Sequence, residues 1–151
     1  MNFQSVGEIL DFAVAKEEQS AQFYDSLAAQ VRQESMAEVF RELAREELQH
    51  KAKLLEVKQG GTFQPAPEEV ADLKIAEYVV DVEPGPEMSY PDALILAMKM
   101  EKAAFKLYND LAVSTKDAVL RGTFLALAQE EARHKLRFEL EYDRNVHQDD
   151  Y

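Results

Sequence analysis

The nine residues LAREELQHK at positions 43–51 return as LAQEEARHK at positions 127–135, and this repeated stretch decides the fold. Each copy places a glutamate three residues before a histidine: Glu47 and His50 in the first copy, Glu131 and His134 in the second. On a helix, a spacing of three brings two side chains to one face, about one turn apart. The repeat therefore predicts two equivalent helices, each of which presents a carboxylate and an imidazole together.

The repetition extends over both halves of the chain without a gap, at a constant offset of 84 residues. The most informative matches are Glu17 with Glu101, Tyr24 with Tyr108, Phe40 with Phe124, and Glu46 with Glu130. Matched leucines and alanines could come from shared helical composition, but matched glutamates and histidines on core-facing positions could not. We expect two similar halves, related by a pseudo-twofold axis.

Composition and helix-start signals predict an all-α protein. Ala, Glu, Leu, Lys and Gln, which are strong helix formers, dominate outside the middle of the chain. A serine followed three residues later by Glu or Asp is typical of a helix start and occurs at Ser5, Ser35, Ser89 and Ser114. The predicted helices span residues 6–31, 36–59, 91–113 and 117–142. Each would be roughly 35 Å long, which suits a four-helix bundle.

The helix breakers are concentrated in one place, because all five prolines fall between Pro65 and Pro91. We therefore expect residues 1–151 to form a single domain with four parts: a helix pair at 6–59, a crossover at 60–89, a second helix pair at 90–143 and an acidic tail at 144–151. The short links within each pair predict antiparallel helices, whereas the crossover has to return along the length of the bundle. Within it, residues 68–78 could form a short helix, and residues 75–82 could equally be extended.

Charge and composition exclude several classes of function. A formal net charge of −12 opposes binding to a phosphate backbone, so nucleic acid is not an expected partner. The longest apolar run, residues 93–98, is far shorter than the ~20 residues that cross a bilayer, and the N-terminus has no basic segment followed by an apolar one. We expect a cytoplasmic protein without a membrane partner. Because the chain has no cysteine, any metal has to be held by nitrogen and oxygen.

Helical periodicity places four glutamates inside apolar stripes, where they should face the core. Four buried carboxylates close together would be strongly unfavourable without counterions, and no Lys or Arg lies in register on these stripes to pair with them. Two divalent cations would balance the four charges. The predicted metal ligands are Glu17, Glu47, His50, Glu101, Glu131 and His134. A ligand set rich in oxygen and free of sulfur favours two Fe ions, with Mn as an alternative.

These motifs resemble the rubrerythrin family of the ferritin-like di-iron carboxylate proteins. The matching residues are the segments from Glu17 to Tyr24 and from Glu101 to Tyr108, together with the Glu-Glu-x-x-His runs at 46–50 and 130–134. The resemblance implies a ferritin-like four-helix bundle, and a di-iron site that reacts with hydrogen peroxide or dioxygen. Many members also carry a rubredoxin-like domain with four cysteines, and many have a further carboxylate where this chain has Ala104. Electrons would accordingly come from a separate donor protein, such as a rubredoxin.

The expected function is therefore that of a homodimeric di-iron peroxidase or oxidase acting in oxidative stress. A ferroxidase that feeds an iron store would use the same site, but it requires a hollow multi-subunit shell. A di-manganese catalase is a further alternative, since these ligands separate Mn from Fe poorly. A hypothesis from a different functional class is a non-catalytic helical module that binds partners through its acidic surface.

Other polar residues leave two interpretations open. Tyr24 and Tyr108 lie two turns beyond their glutamates on the same face, where they could hydrogen-bond a ligand carboxylate or carry an electron, or merely pack in the core with a satisfied hydroxyl. Glu46 and Glu130 could orient the histidines or could be solvated surface charges. His147, in the acidic tail, is expected to be exposed.

Overall fold

The four predicted helices are present in the computed structural model, which describes residue 3, residues 5–59 and residues 88–149, with the backbone alone for residues 145–149. Within these residues the chain forms α1 (Val6–Gln30), α2 (Glu34–Gln59), α3 (Tyr90–Ser114) and α4 (Ala118–Asp149) and has no strand. The all-α prediction is confirmed. The choice between a helix at 68–78 and an extended segment at 75–82 lies outside the described residues.

Two of the helix starts follow the predicted signal. The side chain of Ser5 accepts a hydrogen bond from the backbone N–H of Glu8, and Ser89 accepts one from Asp92, both at 3.2 Å. Each bond satisfies one of the N–H groups that a helix leaves without a partner in its first turn. These two serines therefore cap α1 and α3.

The other two helix starts differ from the prediction. The helix α2 begins at Glu34, because the N–H of Ala37 already donates to the carbonyl of residue 33 at 2.9 Å, and Ser35 consequently lies inside the first turn. At α4 the capping side chain is Asp117, which accepts from the N–H of Leu120 at 2.9 Å. Ser114 instead donates to a carbonyl at the end of α3. Both errors arose because several polar residues near each link compete for the same capping role.

The last helix is longer than predicted. It continues to Asp149, whereas the sequence interpretation ended it near residue 142 and assigned residues 144–151 to a tail. No proline or glycine interrupts residues 123–149, so nothing in the chain itself stops the helix earlier. The expected exposure of His147 concerns a side chain outside the described part of the molecule.

Two apolar clusters occupy the opposite ends of the bundle. One joins the beginnings of α1 and α4 to the ends of α2 and α3, and includes Leu10, Leu54, Leu111 and Phe124. The other joins the remaining helix ends, and includes Leu27, Phe40, Leu94 and Phe138. Hence α1 and α4 run in one direction, and α2 and α3 run in the other. The last residue of α2 and the first residue of α3 therefore lie at opposite ends of the bundle, which is the arrangement that the predicted crossover requires.

The direction of the helices defines the layout of the site. The pairs α1–α2 and α3–α4 are antiparallel hairpins that face each other, and the layer between the two apolar clusters is left to polar side chains. No helix in the described part of the chain is long and apolar enough to cross a membrane.

A matched pair of substitutions on α4 tests this core assignment. Leu127 is fully buried, whereas Leu125 is 44% exposed. We expect Leu127→Ala to destabilise the protein by about 2–5 kcal/mol, because it removes buried methyl groups and leaves a cavity. In a protein of this size that loss lowers the Tm by roughly 5–15 °C. Leu125→Ala should change stability by about 0.5 kcal/mol or less. Equal effects in thermal unfolding would contradict the assignment.

Candidate metal centre

The structure brings all six predicted ligand residues together in the layer between the two apolar clusters. The helices α1 and α3 each contribute one glutamate, and α2 and α4 each contribute a glutamate and a histidine: Glu17, Glu101, Glu47 with His50, and Glu131 with His134. Each of the six is at most 8% exposed. The proximity expected from the sequence is therefore present, and metal binding by these residues stays a prediction.

The six side chains form two overlapping groups, each suited to one cation. Glu17, Glu47, His50 and Glu131 form the first group, and Glu47, Glu101, Glu131 and His134 form the second. Within each group, one donor atom from every residue lies within 4.8 Å of the others. Glu47 and Glu131 belong to both groups, so their two-oxygen carboxylates are placed to bridge a pair of ions. Glu17 and Glu101 belong to one group each.

The unsatisfied polar atoms of the core converge on this layer. Among the described residues, eight buried side-chain nitrogen and oxygen atoms have no hydrogen-bond partner, and all eight belong to the six predicted ligands. Buried polar groups in proteins are almost always paired, because leaving one unpaired costs roughly 1–3 kcal/mol. Carboxylate oxygens and imidazole nitrogens are ligands for divalent transition metals. The donor set therefore fits two divalent ions.

Both histidines turn the same nitrogen toward the carboxylates. The Nδ1 atom of His50 lies 3.0 Å from a Glu131 oxygen and 3.5 Å from a Glu17 oxygen. The Nδ1 atom of His134 lies 3.2 Å from an oxygen of Glu47. The two rings are stacked with their centroids 5.7 Å apart and an angle of 7° between their planes. Nδ1 is thus the nitrogen in position to bind metal.

The opposite nitrogen of each ring contacts a carboxylate on the facing helix. His50 on α2 reaches Glu130 on α4 through Nε2, and His134 on α4 reaches Glu46 on α2 at 3.2 Å. Of the two interpretations left open by the sequence, contact with the histidines is the one the geometry supports. Each of these glutamates contacts the histidine of the other hairpin, not the histidine on its own helix. Sequence spacing alone did not indicate this crossed pairing.

Two buried tyrosines link the hairpins in the same crossed manner. Tyr24 on α1 donates its hydroxyl hydrogen to Glu101 on α3, and Tyr108 on α3 donates to Glu17 on α1. Each bond engages Oε1 and leaves Oε2 of that glutamate without a partner. Burial, followed by the neighbouring carboxylates, raises the pKa of both tyrosines well above 10. They remain hydrogen-bond donors that orient a candidate ligand oxygen.

Burial and mutual repulsion favour the protonated forms of Glu47, Glu101 and Glu131 when no metal neutralises them. Burial, followed by the charge of neighbouring glutamates, raises the pKa of Glu47 and of Glu131 well above the usual value. Burial raises the pKa of Glu101 to about 7. In the protein without metal, protons therefore take over part of the charge compensation.

The two histidines differ in their protonation despite the symmetry. Burial lowers the pKa of His50, but the adjacent carboxylates of Glu131 and Glu17 outweigh it and raise the pKa to about 11. Burial lowers the pKa of His134, and the charge on His50 acts in the same direction. In the protein without metal, His50 is therefore the histidine whose charged form the neighbouring carboxylates favour.

Two openings flank the layer. A groove of about 320 Å³, which we call the α2–α4 groove, is lined by residues that include Glu46, His50, Glu130, Arg133 and His134.

A much smaller cavity of about 30 Å³ lies between α1 and α3, and its lining includes Glu17, Ser20, Ala104 and Tyr108. Ser20, which the sequence interpretation did not single out, stands at the position that matches Ala104 under the 84-residue offset. Both are small residues one turn beyond a ligand glutamate, and that signal was available in the sequence.

The comparisons with known proteins agree with this geometry. A model of the rubrerythrin family matches residues 8–142. A solved structure from Thermotoga maritima, described as a ferritin-like diiron-carboxylate protein, has a TM-score of 0.76 at 20% identity, covering 93% of this chain and 96% of that one. A hypothetical protein from Pyrococcus furiosus has a TM-score of 0.63 at 24% identity, covering 91% of this chain and 87% of that one.

At these identities the two structures establish the fold, which is that of the ferritin-like four-helix bundles. No curated protein sequence matches the chain. The family match extends over both helix pairs, including the six predicted ligands and the two crossed tyrosines. The chain therefore belongs to the rubrerythrin family.

Proposed function

We propose that this protein binds two iron ions and reduces hydrogen peroxide, or in its absence dioxygen, with electrons from an external donor protein such as a rubredoxin. The observation that carries the proposal is the convergence of eight unpartnered buried donor atoms from six residues on one layer of the bundle. Membership of the rubrerythrin family supports it, as does the description of the Thermotoga structure as a diiron-carboxylate protein. We further propose a cytoplasmic homodimer.

The ligand roles follow from the two overlapping groups. Glu17 and His50 would hold one ion, and Glu101 and His134 would hold the other. The carboxylates of Glu47 and Glu131 would bridge them. Four ionised glutamates and two divalent ions sum to zero charge, so this arrangement removes the repulsion that burial otherwise imposes.

The chemistry is a two-electron reduction. When bound, two ferrous ions supply one electron each, so that one peroxide and two protons become two waters. The chain itself holds each terminal glutamate in place through a tyrosine hydroxyl and excludes bulk water with an apolar cluster on either side. The cavity between α1 and α3 is close in size to a single small molecule, which suits an oxidant no larger than peroxide.

Metal loading tests the ligand assignment directly. Anaerobic addition of Fe²⁺ should give two ions per chain and raise the Tm, because metal binds only the folded state. The variant Glu131→Gln removes a bridging carboxylate and should weaken binding by at least about tenfold. Without metal, the same variant should unfold at a higher temperature than the wild type, since it removes a buried carboxyl group that the folded state can hold only at the free-energy cost of keeping it protonated.

The control for this experiment is Glu139→Gln on the same helix, at a side chain that is 47% exposed and paired with Lys135. It should bind iron like the wild type. Metal analysis that finds fewer than one ion per chain in the loaded wild type would overturn the proposal.

The pH dependence of stability provides a second test. As pH rises from 6.5, Glu47, Glu101, Glu131 and His50 hold protons to higher pH in the folded protein than in the unfolded chain, because each folded pKa is raised. His134, whose pKa is lowered, is neutral in both states above this pH. Stability therefore falls as pH rises, and between pH 6.5 and 9 the loss should be at least about 1 kcal/mol, roughly 2–4 °C in Tm.

Bound metal should reverse this trend, because ions displace the retained protons and bind more tightly at higher pH. Thermal unfolding of the metal-free and iron-loaded protein over this range measures both slopes. A metal-free Tm that stays constant or increases with pH would show that the carboxylates do not hold protons in the folded state.

The choice of oxidant can be measured by stopped-flow absorbance. Anaerobically loaded protein is mixed with hydrogen peroxide or with dioxygen, and oxidation of the iron is followed in each case. The proposal expects peroxide to react at least about tenfold faster, a difference of about 1.4 kcal/mol in barrier. Faster reaction with dioxygen, combined with a multi-subunit shell in light scattering, would favour a ferroxidase over the peroxidase.

A further inference from the structure

The contacts between the histidines and the glutamates on the facing helix concern residues outside the predicted ligand set. Glu46 and Glu130 immediately precede the bridging candidates Glu47 and Glu131, yet each crosses the α2–α4 groove to reach a histidine on the other hairpin. Both carboxylates are 40% exposed, unlike the buried inner glutamates, so water competes with the histidines for them.

The chemistry of imidazole gives these contacts a consequence. A neutral imidazole has one N–H and one lone pair, and an ionised carboxylate can only accept hydrogen bonds. Once metal displaces the proton that His50 otherwise retains, each ring is neutral, and a carboxylate at Nε2 keeps the hydrogen on that nitrogen and leaves the lone pair on Nδ1. In both rings Nδ1 is the atom that faces the inner carboxylates and has no hydrogen-bond partner.

The same contact occurs twice in one chain. Glu46 and Glu130 are matched by the 84-residue offset, and so are His50 and His134. The two copies belong to different sequence surroundings, because the residue before the histidine is Gln49 in one and Arg133 in the other. The nearby cation Arg137 is engaged by Glu42 at 3.1 Å, so it does not draw either glutamate away from its histidine.

We propose that Glu46 and Glu130 are positioning residues that hold His134 and His50 as the Nε2–H tautomers, with Nδ1 directed at the metals. This inference rests on the proposed metal site but not on its reaction with peroxide. It also makes each metal group depend on both hairpins, since the carboxylate that sets the tautomer of each histidine comes from the hairpin opposite to it. Partners of this kind typically contribute 10–100-fold to metal affinity.

The test uses the full chain loaded with Zn²⁺, a diamagnetic ion that permits nitrogen NMR of the histidine rings. In the wild type, the two-bond proton–nitrogen correlations should show Nε2 protonated and Nδ1 bound to metal. Glu130→Ala should weaken Zn²⁺ binding about 10–100-fold in chelator competition and give His50 a mixture of nitrogen signals. Glu130→Gln should stay within about threefold of the wild type, because its amide oxygen still accepts the Nε2–H.

The control Glu139→Ala removes a carboxylate of similar exposure from the same helix and should leave both measurements unchanged. Circular dichroism establishes that each variant is folded. If the wild type binds zinc and Glu130→Ala binds it equally with His50 unchanged, the positioning role is wrong while the metal site stands. A Gln variant that behaves like the Ala variant would also overturn it. Absence of any metal binding by the wild type would overturn both proposals, whereas lack of peroxide turnover would leave this one intact.

Discussion

The structure depends on one electrostatic constraint, which is the burial of four glutamates within a few ångströms of one another. Desolvation and repulsion both oppose their ionised form, and no Lys or Arg among the described residues pairs with them. In the absence of metal, the raised pKa values of Glu47, Glu101 and Glu131 favour their protonated forms, which reduces this repulsion. With two divalent ions, as proposed, the same carboxylates would become ligands, so the feature that makes the core unfavourable is also the one that supports the proposed metal site.

The sequence repeat explains how both halves of the chain contribute equivalent residues to the polar layer. Each half supplies one helix with a buried glutamate followed seven residues later by a buried tyrosine, and a second helix with Glu-Glu-x-x-His. Because Tyr24 bonds the glutamate of the other half, and Tyr108 does the same in return, neither hairpin holds its own terminal carboxylate. The histidines are crossed in the same way through Glu46 and Glu130. The layer is therefore complete only when the two hairpins meet.

Much of this arrangement was predictable because helical periodicity determines which way a side chain faces. The six inner residues and the shared direction of α2 and α3 followed from spacing, from the repeat and from the proline-rich middle. The starts of α2 and α4 did not, since Ser35 and Ser114 each had polar neighbours able to cap. The crossed contacts were also out of reach. A repeat establishes the register within each half, but the rotation and height of one hairpin against the other depend on how the two apolar clusters pack.

The two apolar clusters also determine what the site can tolerate. Each fully buried leucine or phenylalanine contributes roughly 1.5–3 kcal/mol, and the clusters place many such residues directly above and below the polar layer. That contribution offsets the unpaired atoms in the middle, so the bundle can hold the six candidate ligands close together without metal. Because the carboxylates are attached to packed helices, they cannot move far apart. Their repulsion can therefore be reduced only by binding cations or protons. Cations and protons would therefore compete for the same four carboxylates, and the outcome would depend on pH and on metal concentration.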